Sequence, residues 1–263
     1  MRKNRFFGIY YKHQSLDGHV LAIIKSKSNE GEMVQIIDND KSYILKDISS
    51  VTISFEGISF NVEQDDLSLV GHISYGTLLK PKKDIMSYYR YLPIECKHNI
   101  YSMYHNLSGQ ISINNKVIDF NNGNGYIEGD QGRNFPNNYL WLNAIDNKSS
   151  ITLAVATIPL GLFKILGITC LIEHMGHEYR FGTYNLARVK ILERNHILIK
   201  KGKYILEVHI DDNNGHALKA PKKGDMVRTI HECPSVPIRY TLSYRGKTIL
   251  DIKHDYASYE YVF

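Results

Sequence analysis

Cysteine is scarce in this sequence: Cys96, Cys170 and Cys233 lie far apart among 263 residues. No CxxC pair occurs, so neither a disulfide framework nor a zinc ribbon is supported, and a reducing compartment is the simpler setting. Proline is also rare, at seven residues, and low-complexity stretches are lacking. Both facts argue against a large disordered region. Charge of one sign is lacking too, since 32 basic residues against 27 acidic leave a net +5. That mild excess is not the bias of a nucleic-acid-binding domain, and no nucleic-acid partner is expected. There is no P-loop, no GxGxxG and no GxSxG, which removes the usual nucleotide and serine-hydrolase readings. The start, MRKNRFFGIYYKH, has neither an apolar core nor a small-residue cleavage site. The expected location is therefore cytoplasmic, with contact at a membrane surface left open.

One long apolar run is present, ITLAVATIPLGLFKILGITCLI over 151–172. Its length suits a membrane span, but Pro159, Gly161, Lys164 and Gly167 sit at its middle, where they break a helix or are costly in lipid. The expected reading is strand 151–158, a loop, and strand 166–173. Elsewhere aromatics are plentiful but skewed, with 19 Tyr, 9 Phe and a single Trp. Tyr suits half-buried pleated surfaces. Period-two or β-rich runs recur at 6–13, 19–26, 34–38, 68–76, 197–200, 204–210 and 239–244. Turn residues separate them at Leu16-Asp17-Gly18, Asn114-Asn115, Asp211 to Gly215 and Arg245-Gly246. Helical periodicity is poor everywhere, with a turn or two within 84–91 as its best instance. The predicted class is all-β.

The two halves of the chain also resemble one another. IYYKHQSLDGHVLAII (9–24) matches WLNAIDNKSSITLAVA (141–156), placing Ile9 with Trp141 and Leu21-Ala22 with Leu153-Ala154 at an offset of 132. LKPKKDIM (79–86) matches LKAPKKGDM (218–226), and Lys116 matches Lys247. Ordered matches at similar offsets predict a tandem duplication, with β domains of 1–136 and 137–263. Each half has the size of a lipocalin-like (calycin) barrel or curled sandwich, which suits an apolar ligand. The junction of two such domains offers a further cleft. The lysine-rich segments at 80–83 and 219–223 recur at matching places, which marks them as corresponding, solvated loops.

The segment between the halves, NNGNGYIEGDQGRNFPNNYLWLNA (121–144), is the least ordinary. On a strand, Tyr126, Glu128 and Asp130 share one face, with Gly125, Ile127 and Gly129 on the other. Two stacked carboxylates need a shared proton or a nearby cation, and either can separate their pKa values to yield a proton donor at neutral pH. Arg133 is placed to close an ion pair with Asp130, the alternative being a clamp on a Gly-rich turn. Tyr139, Trp141 and Asn143 share a face that either lines a cavity or packs between domains. In ECKHNIYSMYHNLSG (95–109), Cys96 and His98 can share a face, whereas His98 and His105 face opposite ways. No tetrahedral Cys/His set is completed, so no metal site is expected. His105 is either a relay or ligand contact or a structural histidine.

Here the sequence resembles the tocopherol cyclase-like family, two-domain lipocalin-like proteins related to carotenoid hydratases. FFGIYYK, ECKHNIYSMYHNLSGQISINNKVIDF, GYIEGDQGRNFPNNYLWLNA, IPLGLFKILGITCLI and the tail from GDMVRTIHECP carry the resemblance over nearly the whole chain. Two places depart from the family pattern. Gln131 stands where an aromatic usually follows the aspartate, and Gly8-Ile9-Tyr10-Tyr11 stands where G-W-Y-F is usual. The resemblance implies a cofactor-free enzyme that cyclises, hydrates or isomerises a prenylated hydroquinone or similar isoprenoid. The plant members close the chromanol ring of vitamin E in this way. A non-catalytic lipid or isoprenoid-quinone binder on the same scaffold is the alternative. The resemblance further implies Asp130 or Glu128 as the acid, Arg133 tuning the carboxylates, and Tyr126, Tyr139 and Trp141 shaping the cavity; Tyr11, His98, His105 and Asn143 are further candidates for substrate contact.

Overall fold

The structure, a computed structural model, describes residues 5–38, 41–160, 163–211 and 216–263. The first half contributes β1 (Phe6–Gln14), β2 (Val20–Ser28), β3 (Gly31–Asp38), β4 (Lys41–Ile44), β5 (Val51–Ile53), β6 (Gly57–Gln64), β7 (Leu67–Tyr75), β8 (Cys96–Ile113), β9 (Lys116–Asp119) and β10 (Asn124–Gly132). The second contributes β11 (Tyr139–Ile145), β12 (Ser149–Leu160), β13 (Phe163–His174), β14 (His177–Gly182), β15 (Arg188–Leu192), β16 (His196–Lys201), β17 (Tyr204–Ile210), β18 (His216–Lys222), β19 (Asp225–Tyr244) and β20 (Lys247–Val262). Apart from strands, the described residues hold only short 3-10 turns, at Ser87–Tyr91 and Thr183–Asn185. The first falls within the weakly helical stretch 84–91.

The strands form two antiparallel ten-stranded sheets, one from each half. Their orders are β4-β3-β2-β1-β10-β8-β7-β6-β5 and β14-β13-β12-β11-β20-β19-β17-β16-β15, the same path walked twice. This is a two-domain, all-β architecture consistent with a tandem lipocalin-like fold. Local chemistry sets equivalent corners. The hairpin after β8 turns at Asn114-Asn115 and the one after β19 at Arg245-Gly246, all four residues at positive φ. Asn and Gly are the residues that tolerate this backbone in a two-residue turn. The sheets differ at one element: β9 follows β8 and pairs with it, whereas β18 precedes β19 and pairs with that.

Alternation along the strands sorts side chains into three cores. Tyr11, Leu21, Leu69 and Ile127 fill the first domain, and Leu140, Leu153, Leu206 and Tyr240 fill the second. A third cluster, with Tyr10, Met103, Tyr126, Tyr139, Trp141, Leu171 and Ile230, joins the two. Each fully buried large apolar side chain stabilises by about 1.5–3 kcal/mol relative to exposure, so this third cluster fastens the domains together. It also corrects the pairing of Ile9 with Trp141. Ile9 belongs to the first-domain core, while Tyr10 and Trp141 face the junction. A one-residue slip in a strand reverses every side chain, so the true counterpart of Trp141 is Tyr10.

Three further expectations change. The apolar run 151–172 forms the β12–β13 hairpin, paired from Ser149↔His174 out to Leu160↔Phe163, so both strands are longer than expected. Pro159 and Lys164 pair near its tip, and no helix among the described residues is long and apolar enough to cross a membrane. Residues 124–132 are the central strand β10, flanked by β1 and β8, and not part of a linker. Their glycines serve close packing: a Cβ at Gly125 would lie 2.2 Å from His105 Nε2, and one at Gly129 2.9 Å from both the Gly8 carbonyl oxygen and the Tyr101 ring. The lysine-rich segments are not simply solvated loops but reciprocal straps. The Lys82 backbone N–H donates to Glu178 at 2.7 Å in the second domain, while Lys219 exchanges bonds of 2.8 and 2.9 Å with Gln35 in the first. Of the expected turn Asp211 to Gly215, residues 212–215 lie outside the described residues, as does Gly161.

Candidate functional site

Where the sheets meet, the structure forms a partly open cavity of about 200 Å³. Apolar side chains such as Ile24, Ile94, Phe135, Ile168, Leu218 and Ile230 line much of it. Besides the exposed Glu95, four carboxyl groups are brought into this apolar setting: Glu128 and Asp130 from β10, Glu232 from β19 and Glu260 from β20. Period two does the local work. It puts Glu128 and Asp130 on the junction face of β10 while Ile127 enters the first-domain core.

Glu128 is 4% exposed. Its Oε2 accepts the Tyr126 hydroxyl at 2.5 Å and the Trp141 indole N–H at 3.0 Å, with His98 Nε2 at 3.4 Å. The other ring nitrogen of His98 lies 3.1 Å from Asp130 Oδ1, which also faces the Cys96 thiol at 3.4 Å. His98 therefore bridges the two carboxylates. Burial by itself would lower its pKa, but Glu128 and Asp130 outweigh that and hold the imidazole up at about 9. It is an imidazolium at neutral pH. Spacing alone would let His98, Glu128 and Asp130 share a cation, as would His196, Glu207 and His209 on the second domain. At the cavity, the imidazolium already supplies that balancing charge.

The second domain contributes the other pair of acids. Glu232 and Glu260 face one another across β19 and β20 and are buried. The Tyr10 hydroxyl donates to Glu232 Oε1 at 2.6 Å, and the Tyr139 hydroxyl donates to Glu260 Oε2. Burial pushes Glu232 up to about 7, and burial followed by repulsion from Glu232 pushes Glu260 well above the carboxylate range. Two adjacent buried carboxyls cannot both ionise cheaply, so this pair retains protons at neutral pH. Glu128 is likewise raised by burial, against the opposing pull of His98.

Of the residues singled out from sequence, Glu128, Asp130, His98, Tyr126, Tyr139 and Trp141 meet at the junction. Four do not. Arg133 is exposed beyond the end of β10, where strand alternation has ceased, and only its backbone is engaged, with its N–H on the Glu95 carbonyl at 2.8 Å. His98 occupies the role expected of it. Asn143 shares the face of Trp141 but lies off the cavity, fully buried with its amide on the Ile151 carbonyl at 3.2 Å. Tyr11 points into the first-domain core, because its neighbour Tyr10 takes the junction face. His105 also turns inward, 3.0 Å from Ser102 Oγ and against the Tyr75 ring, and burial lowers it to about 3. It is a neutral packing histidine.

Tyr10, Glu232 and Glu260 were not singled out. A signal existed for Glu260: it lies 132 residues after Glu128, a spacing already present between Leu21 and Leu153, and pairs with Trp141 as Glu128 pairs with Tyr10. Glu232 had no comparable local mark.

Fold and site together define a two-domain lipocalin-like protein with an acid-lined apolar cavity at the domain junction. Solved structures share this fold at low sequence identity. Kievitone hydratase from Nectria haematococca superposes with a TM-score of 0.58 at 9% identity, over 98% of this chain and 89% of that one. CghA solved with Sch210972 gives 0.61 at 8% identity, and CghA alone gives 0.61 at 7%, each over 98% of this chain and 88% of the other. No protein-family model matches the chain, and no curated protein matches it in sequence.

Proposed function

We propose that this protein is a cofactor-independent acid catalyst that cyclises, hydrates or isomerises an apolar unsaturated small molecule, with a prenylated hydroquinone or related isoprenoid as the best fit. The observation that carries this reading is the set of buried carboxyl groups, held partly protonated by burial and mutual repulsion, on an otherwise apolar cavity wall. Protonating an alkene needs an acid strong enough to react yet still protonated near neutral pH, which this environment supplies. Tyr10 and Trp141 present aromatic surface beside the acids, where a cation is stabilised.

The tocopherol cyclase-like resemblance supports the same class of reaction, and two structures of the same fold, a hydratase named for kievitone and CghA solved with Sch210972, are described with a small molecule. Of the two departures from the family pattern, Gln131 is exposed and off the cavity, whereas Ile9 is among the residues that line it. Units of 1–136 and 137–263 and a cytoplasmic setting complete the proposal, with substrate taken from a membrane surface. Phe163, 76% exposed, and Leu166 stand at the hairpin tip whose stem residues Ile158 and Pro159 border the cavity.

Incubation in D₂O with prenylated hydroquinones and a total lipid extract, read by mass spectrometry, tests the reading. The expected product is an isomer carrying one non-exchangeable deuterium. A retained lipid without any deuterated product would instead assign the protein to the carriers.

A further inference from the structure

Resting on the acid-catalysis reading above, we infer that Glu232, on the second domain, delivers the proton, while Glu128 stays a fixed carboxylate facing the cation that results. Hydrogen-bond chemistry separates the two acids. Every group around Glu128 Oε2 is a donor: a phenol, an indole N–H, which can only donate, and the imidazolium of His98. An oxygen ringed by donors is an anion site, and a proton placed on it would have nothing to bind. Asp130 Oδ1 lies 3.1 Å from His98 Nδ1 and 3.4 Å from the Cys96 thiol.

Glu232 shares burial, the cavity wall and a tyrosine donor with Glu128, and burial raises both to about 7, but its second oxygen sets it apart. It is fully buried and lines the cavity, yet its Oε2 has no hydrogen-bond partner among the described residues. Only Oε1 is engaged, by the Tyr10 hydroxyl. A buried carboxyl oxygen without a partner is costly unless it is protonated and meets a ligand. With Oε1 accepting from Tyr10, the proton belongs on Oε2. The charged and titratable groups facing Glu232 are Tyr10, Lys12, Glu128 and Glu260. Lys12 Nζ donates to the Tyr256 carbonyl at 2.7 Å, and Glu260 sits in the cross-strand position as a second protonated carboxyl.

The step balances without a co-reactant when the substrate carries both an alkene and a hydroxyl. The Glu232 O–H bond breaks as a C–H bond forms at the less substituted alkene carbon. The π pair is consumed, and the more substituted carbon becomes cationic opposite Glu128. The substrate hydroxyl oxygen then bonds to that carbon, and its proton returns to Glu232. The net change is isomerisation, and the carboxylate of Glu128 stabilises charge that exists only during reaction.

Infrared spectroscopy of the free protein in D₂O at pD near 6, comparing Glu232→Gln, Glu232→Asp and Glu128→Gln, tests the assignment. The expected result is that Glu232→Gln removes a component of the protonated-carboxyl band, Glu232→Asp restores one, and Glu128→Gln leaves the band intact. In turnover, Glu232→Gln should lower deuterium incorporation about 10²–10⁴-fold while the variant still retains ligand. A band lost in Glu128→Gln and kept in Glu232→Gln overturns the assignment, as does turnover in Glu232→Gln equal to wild type. Because the infrared readout needs no substrate, the two ideas fail separately. A wild type that converts nothing sinks the reaction, whereas an ionised Glu232 sinks this assignment alone.

Discussion

Tyr10 and Trp141 meet edge to face at the domain junction, ring centroids 5.2 Å apart, and each reaches a carboxyl on the other's domain. Tyr10, from the first domain, donates to Glu232 of the second; Trp141, from the second, donates to Glu128 of the first. The two residues hold equivalent places in the two sheets, so matching positions supply two different donors. Their contact joins domain docking to the geometry of the acids.

Tyr10→Phe should therefore cost about 1–3 kcal/mol of stability, because a buried acceptor on Glu232 loses its donor. Trp141→Phe removes one of the donors to Glu128 and should cost a similar amount. Since the rings touch, the double variant should depart from additivity by at least 0.5 kcal/mol or so. Urea unfolding of the four proteins measures this, and strict additivity would show that the rings act independently.

His98 makes stability fall on the alkaline side. Its folded pKa of about 9 lies above the ordinary value near 6.5, so the folded protein binds the extra proton between these limits. The contribution is complete below about pH 6.5 and is lost as pH rises through 9. His98→Gln should be less stable than wild type by about 3 kcal/mol at pH 6, with the gap closing towards pH 9. A gap that does not change with pH would mean that His98 carries no charge.

Glu260 acts in the same direction for a different reason. Its folded pKa is raised, chiefly by burial, so the folded state holds a proton that the unfolded chain releases above about pH 4.5. Folding is thereby penalised progressively as pH rises past that value. Glu260→Gln, neutral and similar in shape, should lose less stability than wild type between pH 5 and 8. Melting curves across that range decide, and parallel losses would remove Glu260 from the account.

Gly125→Ala should destabilise by about 1–3 kcal/mol, because the new methyl group would lie 2.2 Å from the His105 ring and force β10 or the ring to move. The same strand carries Glu128 two positions beyond Tyr126, so activity should fall more steeply than stability. A variant with wild-type turnover would show that the ring moves and β10 does not.

Phe163→Glu should leave the melting temperature unchanged, since the side chain is 76% exposed. Sedimentation with anionic phospholipid vesicles should drop in this variant. Equal sedimentation of variant and wild type would separate the hairpin tip from any membrane role.

Much of this protein was legible in one dimension because its information is local. Alternation along FFGIYYKH or GYIEGD states which side chains share a face, and Asn114-Asn115 and Arg245-Gly246 mark corners by their tolerance of positive φ. Order and spacing of similar segments revealed the duplication, which the two identical sheet paths display. Period two placed Tyr126, Glu128 and Asp130 together and set His98 apart from His105. It cannot say which face of a strand meets a partner or what stands opposite. Glu232 joins Tyr10 across 222 residues only because two domains dock face to face, and Glu260 joins Tyr139 across 121 because β11 and β20 pair within the second sheet. Sequence thus determined the strands, the repeat and half of the acid cluster. Tertiary structure decided the rest: docking brought Glu232 and Glu260 to Glu128 and Asp130, the pairing of β8 with β10 gave His98 the place expected of Arg133, and the packing of the first domain turned Tyr11 and His105 away from the cavity.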